Sequence, residues 1–188
     1  MTEPRWLSAD EQRAWRSYLE AYRLVFDAIE AQLQHDAGMP HAYYEILVRL
    51  SEAPGRSLRM TQLAQATWSS PSRLSHAVDR LEDRGWVRRS SCATDRRGQL
   101  AVLTDKGYAA LAGAAPGHVE AVRQAVFDAL GTEQAQQLGE LSAQLIKHLA
   151  PPDVAAAHRI DTQPATANGQ RATADQEKVT ADEQLVAQ

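Results

Sequence analysis

The stretch SSPSRLSHAVDRLEDRG, residues 69–85, constrains the fold of this chain more than any other, because a helix start, a helix stop and a two-sided pattern fall within it. Ser70 can cap free backbone N–H groups, and Pro71 at the first helical position gives up no hydrogen bond. The helix is predicted to run to Arg84 and stop at Gly85. Leu74, Ala77, Val78 and Leu81 form one apolar stripe, whereas Ser72, Ser75, His76, Asp79 and Arg80 project from the other side. One side packs and the other is offered to a partner.

The flanking residues give this helix a context. Thr61–Ala66 reads as a compact helical piece before it, and Trp86-Val-Arg-Arg-Ser and Gln99-Leu-Ala-Val-Leu read as two strands after it, joined by a tip containing Asp95-Arg-Arg-Gly98. A short helix, a turn, a capped helix and a basic hairpin make a winged helix-turn-helix, placed at residues 39–104 with a further helix from His41 to Leu50. Upstream, residues 1–38 hold a capping box, Ser8-Ala-Asp-Glu11, followed by Trp15, Leu19, Tyr22, Phe26, Ile29 and Leu33 at spacings of three and four, with Gly38 as the stop. Downstream, residues 105–150 hold two more helices. Thr104 caps one carrying Leu111, Ala115, Val119, Val122 and Val126, with a kink predicted at Pro116-Gly117. Thr132 caps the other, with Leu138, Leu141, Leu145 and Leu149 on one face. A small winged module does not need three long apolar helix faces, so the long N- and C-terminal helices are read as dimerisation helices. The fold class is mainly α.

At 188 residues the chain is long enough for one core plus extensions. Residues 151–188 lack aromatics and are rich in Ala, Thr, Gln and Asp, the composition of a disordered tail. The formal net charge of −4 does not by itself suggest a nucleic-acid partner, but between Arg56 and Arg97 nine arginines face four acids. The single cysteine, Cys92, excludes an internal disulfide and a cysteine metal cluster and fits a reducing, cytoplasmic compartment. The acidic N-terminus MTEPRWLSADEQ is unlike a secretion signal, and no window approaches 18 uninterrupted apolar residues, so no membrane partner is expected. An enzyme is disfavoured. The sequence has no Gly-rich phosphate loop, no metal-ligand cluster and no nucleophile motif, and no cofactor is implied.

The major groove of B-DNA, about 12 Å wide, admits one helix whose N-terminal residues reach base edges. Here those residues are Ser69, Ser70, Ser72, Arg73 and His76. Serines bond to phosphates or bases, Arg73 can pair bidentately with guanine, and a helix N-terminus favours phosphate. Asp79 and Asp83 would repel DNA, so only the first two turns are expected to enter deeply. At the hairpin tip an arginine suits the narrow, electronegative minor groove of A·T-rich DNA. Asp95 then serves to hold Arg97 by a charge-assisted bond, while Arg96 is better placed for phosphate.

The segments LRMTQLAQAT, SSPSRLSHAVDRLEDRGWVRR and above all DRRGQLAVLTDKG resemble the multiple antibiotic resistance regulator (MarR) family of bacterial transcription factors. The resemblance covers roughly residues 8–149 and includes the order of elements. It implies a homodimer built by intertwining the first and the last two helices, bound to pseudo-palindromic double-stranded operators. Such proteins commonly repress until a small phenolic or other aromatic compound, or an oxidant, releases them. By the resemblance, Asp95 and Arg97 are the wing pair and Ser70 to Arg80, Arg80 included, the recognition surface. The acidic tail and the cysteine in the wing depart from the family's common pattern.

Two groups carry alternatives. Tyr18, Tyr22, His41 and Tyr44 read either as helix–helix core or, chiefly by the resemblance, as an aromatic effector pocket. Cys92 reads either as an exposed cysteine without a role or as an oxidation sensor whose thiolate Arg88, Arg89 and Arg96 would favour. The rival to a DNA-binding regulator is a winged-helix module that binds protein, which would need an apolar outer helix face. The Ser/Arg/His face argues against it.

Overall fold

Ser8 closes the expected capping box: its hydroxyl accepts from the Glu11 N–H at 3.2 Å and the Glu11 carboxylate accepts from the Ser8 N–H at 2.7 Å. From there a computed structural model, which describes residues 3–92 and 95–150 except the side chains of residues 92–97, runs through six α-helices and three strands. Helix α1 spans Ala9–Ala37 and ends at Gly38 in the left-handed conformation, and α2 spans His41–Glu52. A short 3-10 turn leads into strand β1, Ser57–Arg59, then α3, Met60–Ala66, and α4, Pro71–Asp83. The hairpin is β2, Val87–Cys92, and β3, Asp95–Leu103; helices α5, Asp105–Ala125, and α6, Thr132–Leu149, complete the described chain. Among the described residues no helix is long and apolar enough to cross a membrane.

The three strands form an antiparallel sheet in the order β1-β3-β2, with Val87 opposite Leu103 and Leu58 opposite Ala101. Under it lies the core. Leu33 of α1, Leu47 and Leu50 of α2, Leu63 of α3, Val78 and Leu81 of α4 and Ala101 of β3 lose all solvent exposure, each large side chain contributing about 1.5–3 kcal/mol. The α4 stripe behaves as its spacing predicts, with Leu74, Val78 and Leu81 buried.

The hairpin is anchored at a single carbonyl. The Trp86 carbonyl accepts from the Thr104 N–H at 3.0 Å, and the Thr104 hydroxyl donates to the Gly85 carbonyl at 2.7 Å while accepting from the Gly107 N–H at 3.0 Å. Thr104 therefore caps α5 and closes the base of the wing with one side chain. Helix α5 comes so close that a Cβ on Gly107 would lie 2.1 Å from the Trp86 oxygen.

Several expectations are corrected. Strand β1 escapes the pattern because three residues, Ser57-Leu-Arg59, carry no alternation; its partner β3 defines it. The four residues Asp95–Gly98, read as the tip, fall within β3, where Cys92 stands opposite Asp95 after a register shift between Ser91 and Cys92. Helix α5 carries Pro116 within its span and ends at Ala125 with Val126 as its C-cap, its buried residues being Gly107, Leu111 and Ala114, so the inward position is Ala114 where the sequence stripe had Ala115. Gly131, not Thr132, caps α6, its N–H donating to the Gln134 side chain at 3.0 Å. On α1 only Ile29 and Leu33 of the predicted stripe are buried, whereas Trp15, Tyr22 and Phe26 stay exposed. The 151–188 segment lies outside the described residues.

Replacing Gly107 with Ala is expected to cost about 1–3 kcal/mol, because backbone rather than a flexible side chain meets the new methyl group. Urea unfolding that gives the parent midpoint would show that the α5–hairpin junction yields freely.

Candidate nucleic-acid interface

Ser70 is the N-cap of α4 and its hydroxyl accepts from the Arg73 N–H at 3.4 Å, with the Ser72 hydroxyl 3.3 Å away. The Ser69 hydroxyl donates to the Thr67 carbonyl at 3.2 Å, which leaves it able only to accept. Past this turn Ser72, Arg73, His76 and Arg80 are exposed on the outer face. Arg73, His76, Asp79, Arg80 and Asp83, with Tyr43 of α2, line an open groove of about 580 Å³. Of the recognition-helix residues read from the sequence, Ser70, Ser72, Arg73, His76 and Arg80 are exposed, and Ser69 is half-buried.

The acids on this face are already paired. Arg89 of β2 reaches Asp79 at 2.6 Å and forms a second ion pair with Glu82, its N–H donates to Glu82 at 2.6 Å, and its guanidinium donates to the Ser75 carbonyl at 3.1 Å. Burial alone would lower the pKa of Arg89, but the hydrogen bond to Asp79 and the charges of Glu82 and Asp79 outweigh it and hold the pKa above its ordinary value. Asp79 also lies 4.0 Å from His76, and Asp83 lies 3.8 Å from Arg80. The repulsion that the sequence assigns to Asp79 is therefore largely offset within the fold.

The nine arginines are not equivalent. Arg56 pairs with Asp105 at 3.2 Å and lies 4.0 Å over the Tyr108 ring, and Arg84 donates to the Gly38 carbonyl at 3.0 Å while sitting 4.8 Å over Trp86. With Arg89, these three hold elements together, so the local positive surplus overstates the charge offered outward. Arg89 is turned toward α4. Of the wing residues, the Asp95, Arg96, Arg97 and Cys92 side chains lie outside the described residues.

A second group forms behind the interface. Tyr22 packs 4.6 Å from Phe26, Phe26 meets His41 edge-on at 5.5 Å, His41 lies 5.9 Å from His118, and Tyr44 lies 4.3 Å from His118. The structure thus joins Tyr22, His41 and Tyr44, but Tyr18 stacks on Trp15 at 6.1 Å instead. Phe26 and His118 complete the cluster and were not among the residues read from the sequence as a pocket. Their signal was available: His118 follows Leu111 and Ala114 at the seven- and four-residue spacings of the buried α5 face. Burial raises the Tyr44 pKa, and burial, then the nearby His41, lowers that of His118. The His118 Nδ1 atom is buried without a hydrogen-bond partner among the described residues. A second groove, of about 450 Å³ between α1 and α5, is lined by Gln32, Asp36, Trp86 and Gly113 and by none of the four residues read as a pocket.

Helix, turn, helix and an antiparallel hairpin with a polar outer helix face define a winged helix-turn-helix protein. The chain belongs to the MarR family of transcriptional regulators, and the MarR family model matches residues 37–98. Sco3205, a MarR family transcriptional regulator from Streptomyces coelicolor solved in complex with DNA, is 58% identical with TM-score 0.77, the match covering 80% of this chain and 94% of that one. AbsC, a MarR family transcriptional regulator from the same organism, is 44% identical with TM-score 0.74, covering 78% of this chain and 98% of that one. The transcriptional repressor MprA of Escherichia coli K12 is 29% identical over 112 residues, 60% of this chain. The chain spans 63% of that relative's length. These relatives are regulators, not enzymes.

Two outcomes follow from the site's charges. Arg89→Ala strands Glu82 and Asp79 beside each other and is expected to cost about 1–2 kcal/mol in denaturant unfolding, the partial exposure of Asp79 keeping the loss at this level. His118 resists protonation in the fold, so below its ordinary value near 6.5 the unfolded chain binds the extra proton first. Stability should therefore fall as pH drops through this range, and His118→Phe should flatten that part of the profile. An identical pH profile in the variant would remove His118 from the acid response.

Proposed function

We propose that the protein is a homodimeric repressor that binds a pseudo-palindromic double-stranded DNA operator through α4 and the hairpin. The observation that carries this reading is α4 itself: a 13-residue helix capped by Ser70, with its apolar stripe buried and Ser72, Arg73, His76 and Arg80 exposed on one face. The first turn of such a helix can enter the major groove, with Arg73 reaching guanine and the serines reaching phosphate. In this reading Arg97 enters the minor groove, Asp95 orients it and Arg96 meets phosphate. The outer face lacks large apolar residues, which argues against a protein-docking module. The DNA complex of the 58% identical Sco3205 supports a DNA partner, and the repressor name of E. coli MprA supports the sign of regulation.

Dimerisation is supported by apolar faces that the single chain leaves open. Trp15, Tyr18, Tyr22 and Phe26 are exposed on α1, and Leu138, Leu141, Leu145 and Leu149 are exposed at helical spacing on α6. Leaving so much apolar surface in water is unfavourable, and a two-fold partner would cover it. The cluster of Tyr22, Phe26, His41, Tyr44 and His118 joins α1 and α2 to α5. A small aromatic effector bound there would act at the root of the DNA-binding unit.

Arg97→Ala and Arg73→Ala are each expected to weaken operator binding by about 1–3 kcal/mol and to reduce the salt slope by about one unit. Asp95→Ala should weaken operator binding while leaving a scrambled duplex unaffected, and should have no further effect once Arg97 is gone. A gain on both duplexes for Asp95→Ala would mean that it acts only by repulsion. For assembly, light scattering is expected to give a dimer mass, and Leu141→Glu with Leu145→Glu to shift it toward the monomer. A parent protein that is monomeric at micromolar concentration would refute the dimer.

A further inference from the structure

The turn between α3 and α4 closes with the two hydrogen bonds of a Schellman cap: the Ser69 N–H donates to the Ala64 carbonyl at 2.9 Å and the Trp68 N–H to the Gln65 carbonyl at 3.2 Å. The cap requires a left-handed residue at its centre, and Trp68 has φ of 50°. Glycine is the usual occupant, since a Cβ there crowds the following carbonyl. Gly38 and Gly85 close the ends of α1 and α4 in this way, Gly55 is left-handed in the turn before β1, and the other described left-handed residue besides Trp68 is Arg56 at φ 51°, next to Gly55. A tryptophan in such a position is an outlier, and strain of this kind persists where a function retains it.

Trp68 is also 55% exposed. Among the described residues every other exposed large apolar side chain lies in residues 6–26 or 119–149, the segments read as dimer-forming and their flanks. Trp68 lies outside those segments, with Thr67, Ser69 and Ser70 beside it in the chain. A protein partner calls for a wider apolar patch than one ring among polar residues offers. An indole combines a flat apolar body with one N–H donor and no acceptor. That chemistry fits a surface of anionic oxygens flanked by apolar sugar edges.

We propose that Trp68 contacts the DNA backbone, its indole Nε1–H donating to a phosphate oxygen and its ring lying along deoxyribose beside the point where α4 enters the groove. The inference rests on the reading of α4 as the DNA-facing helix. In a helix-turn-helix the first helix crosses the backbone and the second presents its N-terminal residues to base edges, so the connecting turn is carried to the sugar–phosphate edge. Trp68 precedes the α4 N-cap, Ser70, by two residues. The contact adds no charge and reads no base, and this separates it from Arg73.

The experiment uses the full chain. Trp68→Gly relieves the left-handed strain and removes the ring, and Trp68→Phe keeps a ring but loses the N–H. Both should bind operator and scrambled duplexes more weakly by the same factor, of order tenfold for Trp68→Gly, with the salt slope unchanged. A purely structural role predicts something different: a re-aimed α4 would lose affinity for the operator alone, and that result would overturn the proposal. Should Trp68→Gly fail to fold, fluorine spectra of the 5-fluorotryptophan-labelled parent still decide. The chain has four tryptophans, and Trp68→Phe assigns the relevant resonance. A shift of that resonance on saturation with either duplex is expected, and an unmoved resonance on a bound duplex overturns the contact. Loss of binding in Arg73→Ala with both Trp68 variants unaffected overturns this inference alone, whereas a parent that binds no duplex overturns the DNA-facing reading of α4 together with it.

Discussion

The carbonyl of Trp86 is the point on which the arrangement depends. It accepts the Thr104 N–H and lies against the Cα of Gly107, while the Thr104 hydroxyl closes onto Gly85. Three elements meet there: the end of α4, the base of the hairpin and the start of α5. Because the Thr104 hydroxyl accepts the free Gly107 N–H of α5 as it closes the wing onto Gly85, a shift of either element breaks hydrogen bonds of both. The Leu-Thr-Asp-Lys-Gly run has this geometric basis. Thr supplies the cap, and Gly three residues later admits the neighbouring backbone.

Around this junction arginines act as struts. Arg89 holds β2 to α4 through Asp79, Glu82 and Ser75, Arg84 ties the end of α4 to the carbonyl that ends α1, and Arg56 ties the turn before β1 to α5. Each strut neutralises a charge or a helix-end carbonyl that would otherwise face solvent or a neighbour. The outward charge of the recognition face is consequently carried by fewer groups than the composition implies. It is also positioned more rigidly, because α4 is held by β2 along its acidic side.

The aromatic cluster lies on the other route into α4. His41 and Tyr44 belong to α2, Phe26 to α1 and His118 to α5, so the rings join the helices that frame the DNA-binding unit to those with exposed apolar faces. Burial, then the nearby His41, lowers the His118 pKa there. Anything that alters packing or protonation at this cluster acts on α2, whose Leu47 and Leu50 share the core with Leu74, Val78 and Leu81 of α4. This continuity gives the proposed effector site a physical path to the recognition helix.

The sequence by itself determined the elements whose signals are local. Caps at Ser8, Ser70 and Thr104, the stop at Gly85 and the period of Leu74, Val78 and Leu81 act within a few residues of the chain, so residue type and spacing alone made the winged helix-turn-helix and the exposed α4 face legible. What was not legible depends on partners distant in sequence. Strand β1 exists because β3 offers it an edge, and Arg89 is a strut because Asp79 and Glu82 lie across from it. His118 joins His41 and Tyr44 only when α5 folds back over α2. A residue's type and spacing decide which face of an element it occupies. Which residue meets that face, and hence whether an arginine binds outward or inward, is decided only when the elements pack, because hydrogen bonds form only within a narrow range of distance and angle.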